Sequence, residues 1–183
     1  MKKNLPYLIV AGLVGCLLFN TRCASTQTGP SGGYKDTIPP VLLRITPPNR
    51  NLNFDKKSIY LEFNEYIKLK DAYKEVVVSP PSLIRPQVRT KARGVLVQFN
   101  DTLKKNTTYS IDFGLAIQDN NEGNQFPPMR YIFSTGAHID SMQITGKVWD
   151  AFTLEPMNGI ALMMYDEEFS DSTIFKKIPD AYA

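Results

Sequence analysis

The sequence predicts an all-β fold, a β-sandwich followed by a second and incomplete β unit, and three observations carry that prediction. Short runs rich in β-branched and aromatic residues recur at close spacing between 41 and 135. Within them apolar and polar positions alternate: Ile59, Leu61 and Phe63 with Tyr60 and Glu62, and Val95, Val97 and Phe99 with Leu96 and Gln98. A period of two with mixed opposite faces is the pattern of a half-buried strand. Four Pro-Pro pairs (Pro39-Pro40, Pro47-Pro48, Pro80-Pro81 and Pro127-Pro128) punctuate the runs. Proline has no N–H for a ladder, so each pair marks a strand end or an edge.

In chain order, the first element is not part of the fold. Lys2 and Lys3 precede an apolar run from Leu5 to Phe19, 15 residues long, which is short of the roughly 20 that span a bilayer as a helix. A basic start and an apolar stretch of this length read as an export signal. Leu13-Val14-Gly15-Cys16 resembles the bacterial lipobox, in which small residues precede a cysteine that receives diacylglycerol. Cys23 lies beyond the apolar run, where a tether begins, but Arg22 stands where a small residue is needed. Residues 1–22 are therefore expected to be a lipoprotein signal peptide, cleaved before Cys16 or Cys23. The lipid would anchor the chain in the outer membrane, facing either the periplasm or the surface. No cysteine occurs after residue 23, so the folded region must hold together without disulfides.

Residues 23–37, rich in Ser, Thr and Gly, read as a flexible tether. Strands are expected at 41–46, 58–63, 75–78, 94–99, 108–113 and 130–134, with one helical turn at 69–73. Charge excludes one class of partner. The chain has 21 Lys and Arg against 18 Asp and Glu, and the excess lies in Lys2, Lys3 and Arg22. The remainder is balanced, which leaves no electrostatic reason to expect nucleic acid.

Leu103-x-Lys105-x-Thr107-x-Tyr109 stands directly before the expected strand at 108–113. It resembles the L-x-P-x-T-x-Y signature of fibronectin- and immunoglobulin-like sandwiches, with Lys105 in place of proline. The resemblance implies a structural tyrosine corner built by Leu103, Thr107 and Tyr109, whose hydroxyl bonds back to upstream backbone. The succession "IPPVLLRITPPN", "IYLEFNEYI", "VVVSPP", "DTLKKNTTYSIDFG", "DNNEGN" and "YIFSTG" resembles the bacterial Ig-like domain of S-layer and surface proteins, here at 38–136. The lead "PSGGYKDTIPP" resembles the start of Bacteroidota lipoproteins. Behind it, "ITGKVWDAFTLEPMNGIALMMYDE" resembles the opening of a carboxypeptidase-regulatory-like, transthyretin-like β domain, with strands at 144–148 and 160–165. Residues 141–183 are too few to complete such a sandwich.

Residues with chemistry to offer are few. His138 has Asp140 and Ser141 beside it, but triads are assembled in space from separate elements, not from neighbours on one segment. Glu62 and Glu65 are three apart, so on a strand they face opposite ways. Asp119-Asn120-Asn121-Glu122-Gly123-Asn124 is dense in oxygen ligands, yet its glycine is fifth and Arg130 falls where a calcium loop needs its acid. Turn geometry alone calls for Asp, Asn and Gly there. No catalytic residue, metal site or cofactor is expected.

Thr37, Thr102, Ser141 and Ser172 each come directly after an aspartate in the pattern of Bacteroidota O-glycosylation acceptors, although Asp-Thr and Asp-Ser pairs are also ordinary turn residues. The expected function is a non-enzymatic cell-envelope lipoprotein whose Ig-like domain serves as spacer, scaffold or adhesion module, with an envelope protein as partner. The alternative is a glycan-binding accessory module using Tyr66, Tyr73, Phe126, Tyr131 or Trp149, of which Tyr131 is expected to point into the core. No pattern in the sequence specifies an oligomeric state.

Overall fold

The computed structural model describes residues 33–142, 144–165 and 172–183. The expected signal peptide, Cys16, Cys23 and the tether up to residue 32 lie outside the described residues. Contacts divide the chain into Met1–Lys35 and Asp36–Ala183, and the strands of the described residues lie in the second unit. In order these are β1 (Leu42–Thr46), β2 (Ser58–Phe63), β3 (Ile67–Leu69), the single turn α1 (Ala72–Glu75), β4 (Val77–Ser79), β5 (Gln87–Thr90) and β6 (Gly94–Gln98). Next come β7 (Thr108–Asp112), β8 (Ile117–Asp119), β9 (Arg130–Ser134), β10 (Met163–Met164), α2 (Thr173–Lys176) and β11 (Ala181–Tyr182).

A four-stranded sheet, β1-β2-β6-β5, and a three-stranded sheet, β4-β7-β9, make the two layers. This four-plus-three antiparallel arrangement is the all-β, Ig/fibronectin-like sandwich that the motifs implied. A short pair, β3-β8, extends the hairpin between β7 and β9. The alternation read from the sequence is the alternation of burial. Ile59, Leu61 and Phe63 of β2, Val95 and Val97 of β6, Tyr109 and Ile111 of β7, and Tyr131 and Phe133 of β9 fill one core. Phe133 lies at its middle, its ring centroid 4.2 Å from Phe54, 5.3 Å from Tyr109, 5.6 Å from Phe99 and 5.9 Å from Tyr131.

Phe54 reaches this cluster because the chain changes sheets. After Pro47-Pro48 the backbone leaves β1 and runs beside β9 in parallel, with Asn51 opposite Phe133. Arg50 and Phe54 donate to the carbonyls of Ile132 and Ser134 (2.8 and 2.9 Å), and Ser134 donates to Asn51 (2.9 Å). The Tyr131 hydroxyl secures the crossing from the core side by donating to the Pro47 and Pro48 carbonyls at 3.2 and 3.3 Å. Burial pushes that phenol up to about 12.

The structure adds elements that the sequence pattern does not show. β3 and β8 are three residues each, too short for a period to register. β5 contains one apolar residue, Val88, because it is an edge strand with exposed Gln87, Arg89 and Thr90. The helical turn falls at Ala72–Glu75 instead of 69–73, which delays the next strand to Val77–Ser79. No strand forms among the described residues at 144–148, and the one expected at 160–165 contracts to Met163–Met164. Residues 144–147 are exposed and pair with no strand among the described residues. Among the described residues no helix is long and apolar enough to cross a membrane.

Two substitutions test the core. Phe133→Ala is expected to cost about 3–5 kcal/mol, the scale of a core aromatic deletion, read as a lower urea midpoint at an unchanged slope. Gly94→Ala is expected to destabilise as well, because a Cβ there would lie 2.2 Å from the Leu61 carbonyl oxygen and 2.7 Å from the Tyr60 ring. A Gly94→Ala protein as stable as its parent would show that β2 and β6 can part without loss.

Candidate functional site

Side chains with polar work to do collect at the two ends of the sandwich. At the tip of the β8–β9 hairpin, Asp119 is 1% exposed. Its Oδ1 accepts from the backbone N–H groups of Glu122 (2.7 Å) and Gly123 (2.9 Å), and its Oδ2 from that of Asn124 (2.8 Å). Burial alone would push this carboxyl up, but the N–H donors outweigh it and hold the group below its ordinary value of 3.8. Gly123 takes φ +83°, a conformation that favours glycine, so the loop can fold back over the carboxylate. The carboxylate thus organises a turn, and no group of three His, Cys, Asp or Glu among the described residues is arranged to hold a metal ion.

The same loop grips the incoming chain. Asn124 Nδ2 donates to the carbonyls of Asp36 (3.1 Å) and Ile38 (3.4 Å). Glu65 stands nearby. Burial first, then the charges of Asp119, Asp36 and Glu122, push its carboxyl up from the ordinary value of 4.5. Glu62 is engaged elsewhere, paired with Arg44 of β1 at 2.9 Å. The two glutamates therefore belong to separate neighbourhoods.

At the opposite end, Tyr109 is 2% exposed and stacks on Phe133. Its hydroxyl accepts from the Lys104 N–H at 2.9 Å, and burial pushes the phenol above its ordinary value. Leu103 packs against the core from the same loop. The Thr107 hydroxyl donates to the Lys105 carbonyl (2.9 Å), while its N–H donates to Thr135 Oγ1 (3.0 Å). Thr135 donates in turn to the Lys104 carbonyl at 2.7 Å. Leu103, Thr107 and Tyr109 stand out in the sequence, but Thr135 does not; its only signal is its place at the end of β9. The chain leaves here, and Asp140 N–H donates to Thr108 Oγ1 at 2.9 Å.

Other candidates are dispersed. His138 and Ser141 are exposed in the departing segment. Thr37 and Thr102 are exposed too, each beside an aspartate whose carboxylate accepts a local N–H: Asp36 from Ile38 and Asp101 from Thr102. Ser172 accepts from Lys176 Nζ at 3.0 Å. Of the aromatic residues, Tyr131 is buried, and Phe126 packs edge-on against Phe63 at 5.2 Å. Tyr73 lies under the Arg85 guanidinium, 4.2 Å from its carbon, and Tyr66 and Trp149 are exposed.

A family model described as "Bacterial Ig-like domain" matches residues 36–135. No curated protein matches the chain. Among solved structures it is similar to an L,D-transpeptidase from Mycobacterium smegmatis, at 13% identity and a TM-score of 0.36, over 54% of this chain and 41% of that one. The chain thus spans about two fifths of that protein's length, and a likeness this slight carries no argument about activity.

Two outcomes are expected at these ends. Tyr109→Phe should cost about 1 kcal/mol, the scale of a net hydrogen bond, and Tyr109→Ala about 3–5 kcal/mol. Equal denaturant midpoints for parent and both variants would remove the corner from the account of stability. Asp119→Asn should destabilise at neutral pH. Because the folded carboxyl titrates below its ordinary 3.8, its contribution is fully present above that value and is lost as pH falls through the folded pKa. The gap between parent and variant should therefore close on acidification from above to below 3.8; a gap constant with pH would refute the assignment.

Proposed function

This chain belongs to the bacterial Ig-like domain family, and on that basis we propose that it is a non-enzymatic spacer or scaffold module of the cell envelope. The family is one of non-catalytic modules found at surfaces and in scaffolds. One observation supports the spacer reading above the others: the chain enters and leaves the sandwich at opposite ends. Asp36 and Ile38 are held at the hairpin tip by Asn124, and Asp140 is held at its base by Thr108. β7 covers five residues of the path between these ends, roughly 17 Å at ~3.3 Å per residue, and the turn at 113–116 and β8 carry the chain on to Asp119. A domain connected in this way adds its length in series between the segments on its N-terminal and C-terminal sides.

Its strand order also suits a load along that axis. The segment at 50–54 and β9 run parallel, one attached to the incoming side and the other to the outgoing side. Pulling the ends apart strains the bonds Arg50–Ile132, Asn51–Ser134, Phe54–Ser134 and Asn53–Gly136 together. In a reading that takes the sequence signals at 1–22 together with this geometry, lipid on Cys16 or Cys23 tethers the module to the outer membrane, and residues 23–37 give it reach. Exposed Thr37, Thr102 and Ser141 are the acceptors that glycan addition would use, while the Ser172 hydroxyl already accepts a bond from Lys176.

Two measurements test the proposal. Radiolabelled palmitate should enter the parent and be lost from the Cys16→Ala, Cys23→Ala double variant; labelling that persists would remove the anchor. In single-molecule stretching, handles at residues 36 and 137 should need a higher force to unfold the domain than handles at Arg44 and Arg89. The latter sit on the opposite edge strands of the four-stranded sheet, so its bonds break one after another. Equal forces would count against a load-bearing spacer.

A further inference from the structure

The three-stranded sheet has two edges, and they are treated differently. The β9 edge is taken up by backbone bonds from the segment at 50–54. The β4 edge has no such ladder among the described residues. An open edge offers unpaired N–H and C=O groups to any extended chain that meets it. Here the start of β4 is blunted by Arg85, whose guanidinium donates to the carbonyls of Val76 (2.7 Å) and Tyr73, and its end runs directly into Pro80-Pro81. That same end is also met by a later strand, β11. Tyr182 of β11 donates its backbone N–H to Ser79 Oγ at 3.0 Å.

β11 arrives as part of a finished hairpin. Met163 pairs with Tyr182 and Met164 with Ala181, and Leu162 and Ala183 exchange two bonds of 2.7 and 3.0 Å. Its ladder capacity is thus directed toward β10, and it touches β4 through a side chain without continuing the sheet. Between hairpin and edge lies a groove of about 740 Å³ with Tyr73, Arg85, Val77, Met163 and Tyr182 among its walls. Such a contact covers an edge by bulk, joined to it by the bond to the Ser79 hydroxyl, and can be displaced more readily than a ladder.

We propose that the β10–β11 hairpin is a guard for the β4 edge, seated by the Ser79–Tyr182 bond, and that it keeps β4 from pairing with β4 of a second copy of this chain. The antiparallel mode of β4 in its own sheet is the mode in which two identical edges pair about a two-fold axis.

The test is hydrogen exchange on the full chain, read at Val77–Ser79 with β7 and β9 as internal references. Tyr182→Pro removes the donor and Ser79→Ala the acceptor. Each is expected to speed exchange at residues 77–79 about fivefold at protein concentrations where the chain is monomeric, the factor a net hydrogen bond is worth, and to produce a concentration-dependent dimer in sedimentation at higher concentration. Parental exchange at 77–79 in either variant would overturn the proposal. So would faster exchange spread equally through β7 and β9, since the hairpin would then be part of the core. Faster exchange without any dimer would overturn the second-copy assignment.

Discussion

A sandwich of about a hundred residues has room for one core, and here that core is organised around the ring of Phe133. Four aromatic rings meet it, and each comes from a different part of the chain: Phe54 from the crossing segment, Phe99 from the end of β6, Tyr109 from β7 and Tyr131 from β9 itself. The contact with Phe54 exists only because the chain leaves the four-stranded sheet at Pro47-Pro48 and crosses to the other layer. The contact with Tyr109 places the phenol where its hydroxyl meets the Lys104 N–H. Packing at Phe133 and hydrogen bonding at both neighbouring loops are therefore one cooperative unit. With buried aromatic side chains this large, dispersion and area burial outweigh the polar bonds they position.

The polar counterpart at the hairpin tip obeys a different balance. Burying the Asp119 carboxylate is costly, and three backbone donors offset that cost. The carboxylate oxygens are thereby engaged by the protein itself. A loop that reads as rich in cation ligands is occupied by its own amides. Its function is architectural: it fixes Asn124, and Asn124 fixes the chain at Asp36 and Ile38. Glu65, pushed up by burial and by Asp119, Asp36 and Glu122, shows that negative charge gathers around this clamp, with the Lys68 ammonium beside Gly123 as the nearby cation.

The layers were legible in the sequence wherever a strand was long enough to display its period and had one face in the core. β2 shows this best, with its strict alternation of Ile59, Leu61 and Phe63 against Ser58, Tyr60 and Glu62. β3 and β8, three residues each, show no period, and β5 has one apolar residue among exposed polar ones, so these three left no trace. The residues of the Tyr109 loop were legible because Leu, Thr and Tyr recur there at fixed spacing, whereas Thr135 acts through its hydroxyl from a distant point of the chain. Beyond residue 140 the pattern of apolar residues was present, but among the described residues only Met163–Met164 has a partner strand, and periodicity without a partner strand does not make a sheet. That is the physical reason for the contraction of the strand expected at 160–165 to Met163–Met164.

Edges decide whether such a domain can be placed in series with others. On the membrane-tethered reading proposed above, neighbouring modules are held at high local concentration, where an open strand meets its own copies often. The two sheets respond with different means. β5 carries Arg89 in its middle and Lys91 just beyond its end, and bringing two such edges together sets like charges side by side. β9 is covered by backbone, the strongest solution, because the segment at 50–54 satisfies the same groups that a partner would use. β1 carries Arg44, but Val41 and Leu43 before it are exposed, 51% and 61%, and its start lies next to Asn64, which accepts from the Val41 N–H. Chain geometry explains the order of these defences. The crossing segment can cover only the edge nearest its path, so β9 is protected at no extra length, and the other edges must rely on charge, on Arg85 and proline, or on a later part of the chain.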